Sequence, residues 1–447
     1  MLRGALVTRG RLFEPRARRG RPEAAPGRYT GTGGPVNASG SACAGPGAGS
    51  RTRAVPNADF RATHAAALAA GALSSGARVK HSPDMAEFGP EAEGFLRTAL
   101  AAAHSCHDFL AWMDEAGERL APETLPDLSA RAASEHAPAL RTARLALGAA
   151  RAPGELDAWA GRFVAAVDEA GRSCDAICEV ASAPPFARIE LVLASLHHAA
   201  RAQEGFYALR GTLAPFAGFW NLPGAKVRDL PPRRADAKGP ATGLVHVGAG
   251  SHHGGFSLYV PEDGPADRVR PVVVALHGGS GNGRDFLWTW LREARSRDLL
   301  LVAPTAVEQT WGPREDEGLL SILGWIANRW PVDRRRILLT GLSDGATFSL
   351  VYGLAHPGVY RAIAPLCGVL HPANEAIGNL GRARGVPVYL VHGARDFLFP
   401  VEIARAAHET LREAGADVTY REIAELSHAY PRSENVRILD WFESLPA

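Results

Sequence analysis

No apolar run in this 447-residue chain approaches the roughly 18 residues needed to cross a bilayer, so no membrane span is expected. Cysteine is scarce: Cys43, Cys106, Cys174, Cys178 and Cys367 make five. An odd, scattered set builds no disulfide framework. That favours a reducing compartment, and a cytoplasmic location is expected. Cys174 and Cys178 stand four apart on a helical pattern and read as core filling. Net charge is nearly absent too, at +2, but it is uneven. Residues 1–84 hold 12 Arg and 1 Lys against 4 acids, a net +9, which leaves −7 for the remainder. A mildly acidic folded part argues against nucleic acid as a partner. Metal-ligand spacing is missing as well. His104 and His107 are three apart, but Cys106 points elsewhere on a helix and no further ligand follows. The neighbours in His197-His198 point in different directions, and His252-His253 reads as loop without further ligands.

What is present is length enough for two domains and a tail, with 46% apolar residues to fill a large core. Residues 1–84 are rich in Arg, Gly, Ala, Pro and Ser without a sustained apolar period, and read as a disordered tail. Two other readings stay open: a transit-type segment, and a true start at Met85. Residues 85–222 read as a helical domain of three or four packed helices. Trp159, Phe163, Val167, Ala170, Cys174 and Ile177 mark one face of a long helix, and Leu96, Leu100, Ala103, His107 and Leu110 another. Residues 223–241 read as a linker.

From 242 to 447 short apolar runs alternate with amphipathic stretches. Strands are expected at 244–247, 256–260, 272–276, 299–303, 337–340, 362–366, 386–391 and 418–423. Helices are expected at 283–297, 317–330, 345–355, 401–414 and 433–443. This alternation predicts an α/β fold, a mostly parallel sheet with helices on both faces. Its ligands sit beyond the carboxyl ends of the strands.

Gly341-Leu342-Ser343-Asp344-Gly345 lies between a predicted strand and a predicted helix. That context marks a nucleophile elbow, whose sharp turn projects a serine hydroxyl from the sheet edge. Serine needs a base and an orienting acid. His428 follows the last strand and Asp396 the one before it, which gives the chain order Ser343, Asp396, His428 of that architecture. An oxyanion needs two preorganised N–H donors. The residue after the nucleophile, Asp344, supplies one, and Gly279 in the loop His277-Gly278-Gly279-Ser280-Gly281 the other. A phosphate-binding loop is the other reading of this stretch, and it is disfavoured because no Lys-Ser/Thr pair follows. Trp311, Phe286, Trp288 and Phe397 follow strands closely; an acyl-pocket role is weighed against plain packing, which is favoured.

Residues 243–445 resemble an α/β-hydrolase of the phospholipase/carboxylesterase and polyhydroxybutyrate-depolymerase-like esterase group. The motifs are Tyr259-Val260-Pro261, Leu276-His277-Gly278-Gly279, Gly341-Leu342-Ser343-Asp344-Gly345-Ala346, His392-Gly393 with Asp396, and Ser427-His428. The resemblance implies Ser343 as nucleophile, His428 as base and Asp396 as acid. The mechanism these roles give needs no metal or organic cofactor. With no lipid-binding apolar helix evident, a small, soluble ester is the expected substrate. The helical region lies outside that group's usual core. A cap, an element for homo-oligomer formation and an accessory module are its three open readings. A serine peptidase or amidase, and a helical interaction protein with an inactive hydrolase domain, are the competing functions.

Overall fold

The computed structural model describes residues 90–236, 239–248 and 253–446. The expected tail, its alternative start at Met85, and His252 lie outside the described residues. Five helices come first: α1 (Pro90–Gly117), α2 (Leu125–Arg131), α3 (Ala137–Ala149), α4 (Asp157–Glu179) and α5 (Pro185–Leu209). A short π-helical segment, Ala132–His136, joins α2 to α3. The stripe Trp159, Phe163, Val167, Ala170, Cys174 and Ile177 is buried along α4. It packs with Phe95, Phe109 and Phe206 as an apolar helical face should.

The sheet follows. Its elements are β1 (Gly243–Val247), β2 (Phe256–Val260), β3 (Arg270–Leu276), α6 (Gly283–Phe286), α7 (Leu291–Ser296), β4 (Leu300–Pro304), α8 (Asp316–Ala327) and β5 (Val332–Leu342). Then come α9 (Asp344–Ala355), β6 (Ala362–Leu366), α10 (Ala373–Ala376), β7 (Pro387–Gly393), α11 (Val401–Glu413), β8 (Asp417–Ile423) and α12 (Glu434–Ser444). The strand order is β1-β2-β4-β3-β5-β6-β7-β8. The pairs β1–β2 and β2–β4 are antiparallel and the rest parallel. This is the mostly parallel sheet the alternation predicts. The long helix expected at 283–297 is instead broken, with a 3₁₀ turn at Leu287–Thr289 between α6 and α7. Aromatic Trp288 and Trp290 go into the core there, and that demand overrides helical continuity.

Alternation along the strands divides the core in two. Leu258, Val272, Val274, Val302 and Leu339 face α8 and α9, and Ile363, Val388 and Leu390 continue that face towards α11. Tyr259, Val273, Leu301, Leu338 and Val391 point the other way, towards α7 and α12. The helices α1 to α5 pack over that second face, and their buried side chains form one continuous cluster with it. Trp288 joins the layers, lying against Tyr207 of α5 and Trp220.

Candidate active site

Ser343 leaves β5 with φ 54° and ψ −115°, a strained left-handed turn rare for a residue with a side chain. Its N–H donates to Leu366 O at 3.0 Å, and its carbonyl accepts from Thr347 N–H, which starts the helical ladder of α9. The flanking glycines are steric necessities. A β-carbon on Gly345 would stand 2.4 Å from Leu276 O, and one on Gly341 would stand 2.6 Å from the Gly345 carbonyl carbon. Strand and helix therefore meet too closely for any side chain, which is what the glycine spacing in the sequence implies.

His428 lies in the loop after β8. Its Nε2 is 2.9 Å from Ser343 Oγ, and its Nδ1 is 2.8 Å from Asp396 Oδ2. The Asp396 carboxylate is fully buried. Its Oδ1 accepts from the N–H groups of Leu398 and Phe399 at 2.9 and 2.8 Å. Burial is therefore matched by donors, as an ionised group away from water requires. With Asp396 accepting at Nδ1–H, the Nε2 lone pair faces the serine hydroxyl. The loops after β7 and β8 come together because Gly393 has no side chain: a β-carbon there would stand 2.3 Å from Leu426 O. The structure thus brings Ser343, Asp396 and His428 together at the carboxyl ends of β5, β7 and β8.

The loop after β3 lies against the elbow. A β-carbon on Gly278 would be 3.6 Å from Ser343 Cβ, and one on Gly279 would be 2.6 Å from Asp344 Oδ2. The Asp344 side chain turns to this loop region and accepts from Thr310 Oγ1 at 2.6 Å. Its N–H opens α9, where the first amides have no acceptor within the helix. His277 anchors the loop from below. Its Nε2 accepts from Ala306 N–H at 3.1 Å, so Nδ1 carries the proton and donates to Gly278 O at 2.6 Å. Burial lowers its pKa from the ordinary histidine value and keeps it neutral. Trp311 Nε1–H donates to the His277 carbonyl at 2.7 Å.

Of the four aromatic candidates, three are packed. Trp311 is buried and stacks on Phe348, Phe286 meets Tyr430 edge-on, and Trp288 sits between the layers. Phe397 is 51% exposed, with its ring centroid 6.4 Å from that of His428. Phe399 is nearer, at 5.3 Å, and sequence position alone did not single it out. Nor did it single out Thr310, since its partner Asp344 is 34 residues away.

Of the histidines weighed as metal ligands, His104 is exposed, and His107, His197, His198 and His253 are used in packing and pairing. His107 packs edge-on against Phe216 and Phe219, while Cys106 is buried. His197 pairs with Asp285 and His198 with Glu169, each at 2.6 Å. His253 Nδ1 is 3.2 Å from Glu308 O. Cys174 and Cys178 have their sulfurs 4.0 Å apart, in thiol–thiol hydrogen-bond contact and without a disulfide. Among the described residues no group of three or more His, Cys, Asp or Glu is arranged to hold a metal ion, and no helix is long and apolar enough to cross a membrane.

Residues 321–443 match the family model described as phospholipase/carboxylesterase. No curated protein matches the chain significantly. Among solved structures, a thermostable esterase is similar at 23% identity, covering 42% of this chain and 58% of its own, with a TM-score of 0.37. Esterase PE8 is similar at 20%, covering 46% and 100%, with a TM-score of 0.35. A CE1 ferulic acid esterase from Anaeromyces mucronatus is similar at 15%, covering 43% and 84%, with a TM-score of 0.36. The chain thus spans little more than half the length of the first of these. From β1 to α12 the chain has the mostly parallel α/β-hydrolase architecture, and within it residues 321–443 are similar to the phospholipase/carboxylesterase family.

Proposed function

We propose that this protein hydrolyses small carboxylic esters through an acyl-enzyme on Ser343. The observation that carries the reading is the unbroken relay Ser343 Oγ, His428 Nε2, His428 Nδ1, Asp396 Oδ2, with contacts of 2.9 and 2.8 Å. His428 takes the hydroxyl proton as Ser343 Oγ attacks the ester carbonyl. The tetrahedral oxyanion accepts from the N–H groups of Asp344 and Gly279. Collapse expels the alcohol, protonated by His428. Water then attacks the acyl-enzyme with His428 again as base, and the free serine returns. Asp396 holds the imidazole tautomer and stabilises the imidazolium. No step calls for a metal or organic cofactor.

A series of p-nitrophenyl esters of increasing chain length, assayed beside peptide p-nitroanilides, tests the substrate class. Turnover of the short esters with far slower amide cleavage is expected. Preferential amide cleavage would overturn the ester assignment in favour of a peptidase.

Self-association through the helical layer is part of the same proposal. Phe186, Ile189, Leu193 and Leu196 recur on α5 at spacings of three and four and stay exposed, a stripe suited to a second copy. Light scattering of the wild type and of a Phe186→Ser, Leu193→Ser variant checks it: a dimer reduced to a monomer supports it, and a wild-type monomer contradicts it. Among the described residues the cysteines are free, which suits a cytoplasmic setting.

A further inference from the structure

We infer that Glu118 and Asp114, at the carboxyl end of α1, are positioning residues that hold the His428 loop in register with Ser343. The inference rests on the proposed triad and extends it to the helical layer, which the match at residues 321–443 does not include. His428 is separated from α12 by only five residues, Ala429 to Ser433. Two carboxylates from outside the sheet grip that short span.

Glu118 takes the last residue of the span. Its Oε1 accepts from Ser433 N–H at 2.7 Å, and its Oε2 accepts from Ser433 Oγ–H at 2.9 Å. Ser433 is the residue capping α12, and its own side chain makes no capping bond. A carboxylate one residue past α1 therefore sits at the positive end of the α12 dipole, where negative charge is favoured. Asp114, one helical turn earlier, takes the residue before. It pairs with Arg432 through Oδ1 and with Arg292 of α7 through Oδ2 at 2.8 Å. Arg432 in turn donates to Trp288 O at 3.3 Å. These groups are largely buried, so the pairing is weakly screened and a missing partner would leave a guanidinium uncompensated.

Leu120, two residues beyond Glu118, completes the grip. It packs against Cys367, Leu426 and Ala429, with Leu342 in the same group. Leu342 precedes Ser343 and Ala429 follows His428, so the side chain from the helical layer shares one small apolar cluster with residues next to both the serine and the histidine. The span is otherwise tied down locally, by Cys367 Sγ–H to Ala429 O at 3.6 Å and Tyr430 OH to Asn435 Oδ1 at 2.8 Å. The first tie holds the start of the span to the residue after β6, and the second holds it to α12. The carboxylates fix where α12 begins, and so how far His428 leans towards the serine.

Kinetics of the full chain test this. Glu118→Ala should lower kcat for p-nitrophenyl acetate by about ten- to a hundredfold, the cost of a displacement on the order of 1 Å at a catalytic group. KM should stay within about twofold, since Glu118 is not placed against substrate. Glu118→Gln should recover most of the rate, because its amide accepts from Ser433 N–H and donates to Oγ. Arg144→Ala removes ion pairs to Asp168 and Asp175 inside the helical layer, away from the loop, and should leave kcat near normal. An unchanged kcat in Glu118→Ala, beside an inactive Ser343→Ala, overturns this inference alone. An equal loss in Arg144→Ala, or no recovery in Glu118→Gln, also overturns it, since the effect would then be general weakening of the layer. Normal turnover by Ser343→Ala overturns the triad and this inference with it.

Discussion

The two faces of the sheet are covered in different ways. One is covered by α8, α9 and α11, all drawn from the connections between strands. The other carries α7 and α12 and then a second layer, α1 to α5, built from chain that precedes the first strand. The singly covered face reaches the rim through α9, which begins at Asp344 beside the elbow. The doubly covered face also reaches the rim, because α12 follows the His428 loop and α1 ends beside it. An added layer can therefore matter to chemistry without contributing a reacting group: it matters through the backbone it immobilises.

The largest expected effect concerns the rim itself. Ser343→Ala should lose at least about a thousandfold in ester turnover with little change in melting temperature. Initial rates with calorimetry on the same samples check both halves. A similar loss accompanied by unfolding would mean the elbow serine is structural, and the contrast between rim and faces would fail.

Next comes the seam between the layers. Trp288 is buried against Tyr207 and Trp220, so Trp288→Ala should cost roughly 3–5 kcal/mol of stability. Because the core is continuous, denaturant should still unfold the chain in one transition. Two separate transitions in the wild type would show that the layers are independent, contrary to the shared cluster.

A third effect sharpens the same seam through pH. His246 on β1 is partly buried, its side chain 10% exposed, with Nδ1 2.8 Å from Ser257 Oγ and Nε2 3.7 Å from Glu204 of α5. Burial lowers its pKa from 6.5 to about 4. The unfolded chain then takes up a proton that the folded chain refuses between those values. Stability present above pH 6.5 should drain away as pH falls to about 4, by about 3 kcal/mol from this group. Urea midpoints for the wild type and His246→Gln across that range check it; equal slopes would remove His246 from the account.

Phe397 should show the smallest effect. It is half exposed beside His428, so Phe397→Ala should change stability by at most about 0.5 kcal/mol. If it lines the substrate cleft, KM for longer esters rises while KM for acetate does not. Equal KM values across the series would return it to plain surface.

The strands and the rim were legible in the sequence for a physical reason. Parallel strands are buried on both faces and read as apolar runs, so β3, β5, β6 and β7 announce themselves. A residue just past such a run must lie at the carboxyl edge, which made Ser343, Asp396 and His428 readable as neighbours. The amphipathic period of α4 was equally plain. It told only which face is buried and not against what. The reach of α1 to Ser433 spans 315 residues of sequence, and no local pattern encodes a partner that distant. The break at Leu287–Thr289 was hidden as well, because the residues there suit a helix and only the seam requires otherwise.

The central claim is that Ser343 is the nucleophile because His428 and Asp396 activate it. A fluorophosphonate probe, followed by peptide mass spectrometry of the wild type and of Ser343→Ala and His428→Gln, tests it most directly. The adduct should lie on Ser343 in the wild type, be missing in Ser343→Ala, and form far more slowly in His428→Gln. Adduct on another residue, or undiminished labelling of Ser343 in His428→Gln, would contradict it.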